Sequence, residues 1–245
     1  MNVKLIDVMG SDLTVVNAAR VSYAKTKEQF EDKDKKLIVF LAKHNHWSPF
    51  GHASLQFRIK APVFVARQLV KHQVGLIWNE VSRRYVSYEP KIYMIDKWRG
   101  KPANSKQGSA GVIELDVTLK HVYGMAMDQC KILYSALIGK GIAPEQARSV
   151  LPQSMMTEWI WSGTLYAFAR VCNLRCKSDV QEETREIAES ISKLCREKFP
   201  ISWDALTLKK EEEDETFKRY ESYREYNKIH GDPYKILYSP YGNKT

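Results

Sequence analysis

Apolar residues recur at two spacings along this chain, and the switches between them outline its elements. From Ala53 to Lys60, Leu55, Phe57 and Ile59 alternate with Gln56, Arg58 and Lys60, the pattern of a strand buried on one face. Val3–Met9 and Met155–Ser162 read as two further strands. Leu37, Phe40, Leu41 and His44 recur at helical spacing, which predicts a helix over Asp32–Asn45, broken by Ser48-Pro49-Phe50-Gly51. Helices are also predicted over Asp12–Val21, capped by Ser11 or Asp12, and over Val63–His72, whose first turn suits Pro62. Val112–Lys140 reads as a long helix closed by Gly141, and Pro144–Val150 as a short one stopped by Pro152. Tyr166–Leu174 and Val180–Lys198 complete the helices. Arg83–Ile95 reads as extended, with Pro90 at an edge or an end. Val74–Val81 fits neither period cleanly. Asp96–Gly111, polar and carrying Gly, Pro, Ser and Asn, reads as a loop.

The chain divides by pattern into a body, residues 1–208, and an extension, residues 209–245. The extension opens with Lys209-Lys210-Glu211-Glu212-Glu213-Asp214-Glu215, after which Phe217, Tyr220, Tyr223 and Tyr226 fall every third residue. Two readings stand: a solvated helix whose aromatic stripe packs on the body, or an arm that binds a partner or bridges subunits.

At 44% hydrophobic and 27% charged residues, the composition is that of a globular protein rather than a disordered one. The N-terminal run Met1–Met9 carries Asp7 and does not read as a signal peptide. No stretch approaches the roughly 18 apolar residues of a membrane span. Four cysteines, Cys130, Cys172, Cys176 and Cys195, suit a reducing compartment rather than a disulfide framework. The expectation is a cytoplasmic protein (host cytoplasm if the source is viral). The net charge of +9 fits either attraction to nucleic acid or a site for phosphate-bearing small molecules, and the positions of the arginines decide between them.

Those positions concentrate between Arg67 and Tyr85. On a helix, Arg67 and Lys71 lie one turn apart, and so do Gln68 and His72. This clusters two cations, an amide and an imidazole at the end of a helix that begins apolar, although a basic helix terminus also complements the macrodipole. Further on comes Asn79-Glu80-Val81-Ser82-Arg83-Arg84-Tyr85. In an extended chain Glu80, Ser82 and Arg84 would share a face while Arg83 points away. A carboxylate, a hydroxyl and a guanidinium together can read a nucleotide, the guanidinium matching phosphate oxygens in pairs. Ser82 has no base placed beside it and no flanking glycines, so it is not read as a nucleophile. Cys172 and Cys176 lie one turn apart, but without further His or Cys ligands they read as packing residues and no metal site is expected.

The blocks Ala61-Pro62-Val63-Phe64-Val65-Ala66-Arg67-Gln68, Lys71-His72-Gln73 and Asn79–Tyr85 resemble those of the flavin-dependent thymidylate synthases. In order along the chain, Ala18-Ala19-Arg20-Val21-Ser22, His46-Trp47-Ser48-Pro49-Phe50-Gly51-His52, Ala147-Arg148-Ser149-Val150-Leu151-Pro152 and Asn173-Leu174-Arg175 are similar too, so the resemblance spans about Val3 to Pro200. It implies an α+β fold, a mainly antiparallel sheet flanked by helices, and a homotetramer whose sites are shared between subunits. It implies conversion of dUMP to dTMP, with methylenetetrahydrofolate supplying the carbon and NADPH a hydride carried by FAD. By resemblance Gln68, Glu80, Ser82, Arg84 and Arg148 hold dUMP, with Arg67, Lys71, Val81 and Arg83 beside them. Arg175 polarises the uracil and stabilises its ionised N3. Ser22, Ser48, Lys71, His72, Gln73 and Glu80 are assigned to the flavin or its support. No cysteine falls in a matching active-site block, which fits a route without a thiolate nucleophile.

The chain departs from the family pattern in two places. The family motif is Arg-His-Arg, seven residues, then Ser; here Lys71-His72-Gln73 is followed by the eight residues Val74–Val81 and then Ser82. A bulge or a longer connection must absorb the extra residue. Where the family carries flavin-contacting Asn and Arg, this chain has Thr164, Tyr166 and Arg170. Arg170 is either a surface arginine or a replacement for charge lost at Gln73. Two alternatives follow: a flavin- and folate-dependent modifier of another pyrimidine nucleotide, for example a hydroxymethylating one, and a basic nucleic-acid-binding protein, which is not expected given the clustering.

Overall fold

The structure, a computed structural model, describes residues 1–103 and 108–207. The charge run and aromatic stripe after Lys209 lie outside the described residues, as does part of the polar segment Asp96–Gly111.

A four-stranded antiparallel sheet forms the centre. Its strands are β1 (Asn2–Met9), β2 (Ser54–Pro62), β3 (Leu76–Glu80) and β6 (Met156–Thr164), side by side in the order β1-β2-β6-β3. The alternation read in β2 is realised: Leu55, Phe57 and Ile59 are buried, while Arg58 and Lys60 are exposed. Across the β2–β6 ladder these residues meet Gly163, Trp161 and Trp159. Trp159 and Trp161 are buried, and Trp78 of β3 stacks on Trp159 with ring centroids 4.3 Å apart. Burying a large apolar side chain contributes about 1.5–3 kcal/mol, so this row of rings anchors the sheet to its helices. On the other face Arg58 pairs with Glu158, and Gln56 donates to Ser162 at 2.9 Å.

Helices cover the buried face. They are α1 (Asp12–Arg20), α2 (Asp32–Lys43), α3 (Val63–Leu69), α6 (Leu165–Arg175), α7 (Glu182–Lys198) and α8 (Pro200–Thr207). Phe168 of α6 meets Phe57 and Trp161 edge-on at 4.9 and 5.4 Å. The buried positions of α7 (Glu183, Thr184, Ile187, Ala188, Ile191 and Cys195) keep to one stripe. Helix α8 was not foreseen, although Pro200 at its first position is a start signal. Buried Asp12 accepts the backbone N–H groups of Ile201 and Ser202 at 3.0 and 2.9 Å, satisfying orphan donors at the start of α8. Asp34 is likewise buried on α2; burial alone would raise its carboxyl, but hydrogen bonds from Lys27, the Glu31 backbone and Arg20 bring it down to about 2.

Three expectations need correction. Residues 83–95 do not form a strand: Tyr85 N donates to Ser82 O at 3.0 Å, closing a turn, and a lone bridge, Ile92 to Met155, is the extended pairing there. The segment read as a loop contains β4 (Trp98–Arg99), which pairs with β5 (Val112–Ile113). The long helix therefore starts later, as α4 (Val117–Gly139), where the Asp116 side chain accepts from Leu119 N at 2.8 Å. The short helix α5 (Pro144–Ala147) runs into a single 3₁₀ turn, Arg148–Val150. Of the 23 residues of α4 only Tyr134 is buried, and Val117, Val122, Met125 and Ile132 are each more than half exposed.

Candidate active site

The site is built where α3 ends. The helix stops at Leu69, short of His72, and the chain turns back toward β3, with Leu76 N donating to Gln73 O at 3.1 Å. Gly75 takes the left-handed conformation (φ 76°) that this turn requires. Strand β3 then pairs with β6 without a register shift, from Leu76 against Gly163 to Glu80 against Trp159. The extra residue is thus taken up in the connection before β3 and not by a bulge within it.

The turn holds His72 against the C-terminal end of α6. Arg175 Nε donates to His72 Nε2 at 3.0 Å, which requires that nitrogen to be an acceptor and places the imidazole proton on Nδ1. Burial, then the nearby charges of Arg175 and Arg170, push the His72 pKa below its usual value, so the neutral ring persists at neutral pH. Gln68, on α3, donates through Nε2 to Gln181 Oε1 beside the start of α7. Between them opens a cleft of ≈ 550 Å³, lined among others by Gln68, Arg175, Trp98, Arg99, Gln181 and Glu183. Arg99 makes a paired contact with Glu183 at 2.6 and 2.7 Å, and it also reaches Glu182 and Ser109 at 2.9 and 3.0 Å. Burial works to raise the Glu183 carboxyl, but Arg99 and the other donors hold it below the usual carboxylate value.

The second cluster lies at the far end of β3. Thr157 Oγ1 donates to Glu80 Oε1 at 2.6 Å, and Trp78 Nε1 to Glu80 Oε2 at 3.2 Å, so the carboxylate is fixed by two donors. Val81 N donates to Glu158 O at 2.9 Å and extends the ladder by one residue. The turn at Ser82 then separates the adjacent arginines. Arg83 goes inward: it is 6% exposed, donates to Tyr88 O, and lies 4.3 Å over the Tyr88 ring. Arg84 goes outward, 3.8 Å from Glu145, and Arg148 donates to the Glu145 backbone oxygen at 3.3 Å. Arg84 and Arg148, far apart in sequence, thus share one patch beside Ser82.

Of the residues expected in the site, Gln68 and Arg175 line the cleft, and His72 is bonded to its edge. Arg67, Lys71, Gln73 and Arg170 are exposed around α3 and α6. Ser22, in the 3₁₀ turn after α1, and Ser48, at the start of the 3₁₀ turn 48–52, are exposed. Within one chain, Glu80, Arg84 and Arg148 do not line this cleft. The shared face predicted for Glu80, Ser82 and Arg84 is replaced by a strand end followed by a turn. Arg99, Gln181, Glu182 and Glu183 were missed as site residues. Two glutamates opening a helix carry a macrodipole signal, which concealed their pairing with a distant arginine. Cys172 is buried with its thiol 3.4 Å from Ala188 O, a packing arrangement.

An α+β scaffold thus presents guanidinium and carboxylate groups around one polar cleft. The family is then given by comparison: the model of the thymidylate synthase complementing proteins matches residues 4–201, and the chain belongs to this family of flavin-dependent thymidylate synthases. It is 37% identical over 205 residues to the flavin-dependent thymidylate synthase of Kosmotoga olearia, covering 83% of this chain and 88% of that protein. It is 36% identical over 203 residues to that of Thermus thermophilus, covering 83% and 74%. A crystal structure of a UMP/dUMP methylase, PolB from Streptomyces cacaoi, bound with 5-Br dUMP superposes with a TM-score of 0.75 at 30% identity, covering 84% and 94% of the two chains. Membership supports enzymatic activity of the flavin-dependent thymidylate synthase type. Among the described residues no helix is long and apolar enough to cross a membrane.

Proposed function

We propose that this protein converts dUMP to dTMP, taking the carbon from methylenetetrahydrofolate and the hydride from NADPH. The observation that carries this reading is the pairing of Arg175 with a neutral His72 at the edge of the cleft. With Nε engaged by His72, the guanidinium plane is fixed and its terminal N–H groups are directed at the uracil. There they stabilise negative charge developing on the ring, and no enzyme nucleophile is needed. Arg84 and Arg148 hold the phosphate, with Ser82 beside them and Arg67 adding charge. Glu80, fixed by Thr157 and Trp78, accepts a hydrogen bond from the nucleotide.

The family resemblance and the exposure of these side chains support assigning the following groups to a flavin dinucleotide. Lys71 and Arg170 are exposed cations for its diphosphate, Ser22 and Ser48 offer hydroxyls, and half-exposed Trp47 offers a ring face. When bound, FAD carries hydride from NADPH to the one-carbon unit. His72 supports the flavin end by holding Arg175 and by keeping a second like charge out of the site.

The separation of the Arg84–Arg148 patch from the cleft supports a site completed by another subunit. The apolar, exposed length of α4 supplies a face for such assembly, in a homotetramer. The experiment is to incubate the protein with dUMP, methylenetetrahydrofolate, NADPH and FAD and to weigh the nucleotide product. The expected product is dTMP, and a hydroxymethylated product or none would overturn the reading. UMP is the second substrate to offer, because the structural relative is described as a UMP/dUMP methylase. Steeply salt-dependent binding to DNA by a protein that takes up no FAD would instead favour the nucleic-acid alternative.

A further inference from the structure

Trp47 is 57% exposed, whereas the other tryptophans are buried or half-buried. The corner that carries it is nevertheless pinned. Asn45 sits in the left-handed region (φ 55°) and turns the chain out of α2. Trp47 N then donates to Asn45 O at 2.9 Å, and Phe50 N donates to Trp47 O at 3.1 Å. Pro49 and Phe50, which follow, are buried and tie the corner to the core. The backbone of Trp47 is thus held on both sides. A singly exposed tryptophan would need no explanation. This one is backed by a second ring. Tyr166, half-buried and packed on the core, lies against it with ring centroids 6.0 Å apart and a tilt of 36°.

The same helix face supplies a charge. Tyr166 and Arg170 are four residues apart on α6, so they lie one above the other. Helical side chains tilt toward the N-terminus, which leans the exposed Arg170 toward the turn that carries Tyr166. Trp47, Tyr166 and Arg170 therefore offer an open indole face, a ring that stiffens it and a guanidinium beside the pair. Such a set matches a planar ring joined to a phosphate: the ring covers the indole, and the phosphate meets the planar fork of the arginine. We propose that Trp47, seated on Tyr166, is a stacking platform for one of the two planar rings of a flavin dinucleotide, and that Arg170 binds the phosphate joined to that ring. The proposal rests on the flavin reading above and assigns a ring contact within it. The flavin half and the adenine half share this chemistry, and shorter ligands tell them apart.

Calorimetric titration of the full-length protein with FAD, FMN, riboflavin, ADP and adenosine tests each part. Trp47→Leu should weaken FAD binding by about ten- to a hundredfold, the size of one ring stacked on an aromatic side chain. Trp47→Phe, which keeps a ring face, should recover most of that loss. If the flavin ring covers the indole, Trp47→Leu weakens FMN and riboflavin and spares ADP. If the adenine covers it, the variant weakens ADP and adenosine and spares FMN. Either pattern supports the platform. Arg170→Gln should weaken the phosphate-bearing member of the affected pair by about tenfold and leave its phosphate-free partner within about twofold. Trp47 is exposed, so its replacement should leave the melting temperature unchanged, and Arg170→Gln reports independently if it does not. Binding of FAD by Trp47→Leu within about twofold of the wild type would overturn the platform and leave the flavin reading standing. A change of subunit assembly in Trp47→Leu with FAD affinity unaltered would overturn it too, by making Trp47 a contact between copies. A wild type that takes up no FAD would overturn both.

Discussion

The cleft beside α7 and the patch around Glu145 both present arginines, and they hold them differently. In the cleft Arg99 is gripped by Glu183, Glu182 and Ser109, and Arg175 is tied to His72. On the patch Arg84 lies 3.8 Å from an exposed glutamate, and Arg148 touches one backbone oxygen. Arg83, adjacent to Arg84, belongs with the first kind, buried over Tyr88. A fully paired arginine shapes the fold, whereas one with its fork open in solvent keeps its charge for a ligand. Arg175 stands between: one nitrogen holds its orientation and the rest face the cleft.

Substitutions can separate these kinds. Replacing Arg175 with Ala should cost the most, lowering turnover of dUMP by about 10²–10³-fold, the penalty for losing one preorganised donor to developing charge. The rate of dTMP formation, followed by mass, measures it; a fall under about fivefold would remove Arg175 from the chemistry. Next is Arg99→Ala, which leaves Glu183 charged and buried without its partner and should destabilise folding by about 3 kcal/mol in urea unfolding. Arg84→Ala and Arg148→Ala should change stability by less than about 0.5 kcal/mol, as exposed positions do. Each should weaken dUMP binding by about 10- to 100-fold, the size of charge-assisted bonds to phosphate. If Arg84→Ala instead unfolded the protein with unchanged affinity, the contrast between the two regions would be lost.

The smallest expected effect is one of pH. Burial and two neighbouring guanidinium groups lower the His72 pKa, so below about pH 6.5 the unfolded chain takes up a proton that the folded one resists. Stability is therefore fully present above that value and declines as the pH falls toward the depressed native pKa. A His72→Gln variant should show a shallower decline over that window, and parallel curves for the two proteins would exclude the effect.

The sequence made local patterns visible and concealed distant pairings. The alternation in Leu55, Phe57 and Ile59 showed a strand because one buried face has a period of two. The blocks holding Gln68, Arg84, Arg148 and Arg175 marked the candidate site by resemblance. Their spatial grouping was hidden, because Arg84 and Arg148 meet through Glu145 and Gln68 meets Gln181 across the fold. The turn at Ser82 defeated the extended reading: Tyr85 N bonds back to Ser82 O, and no apolar period warns of it. The β4–β5 pair was missed because two residues on each side are too short to show a period.

The central pairing of β2 with β6 joins Ser54–Pro62 to residues about a hundred positions later. Such a ladder makes the contact order high, so the chain should fold slowly for its size, with closure of this long loop before the sheet can zip. The same closure explains a tolerance. Its entropic cost grows only with the logarithm of loop length, about 0.6 kcal/mol for each doubling. Lengthening the connection between β3 and β6 at a flexible point would therefore add little to the cost of closing it, and the sheet would keep its register.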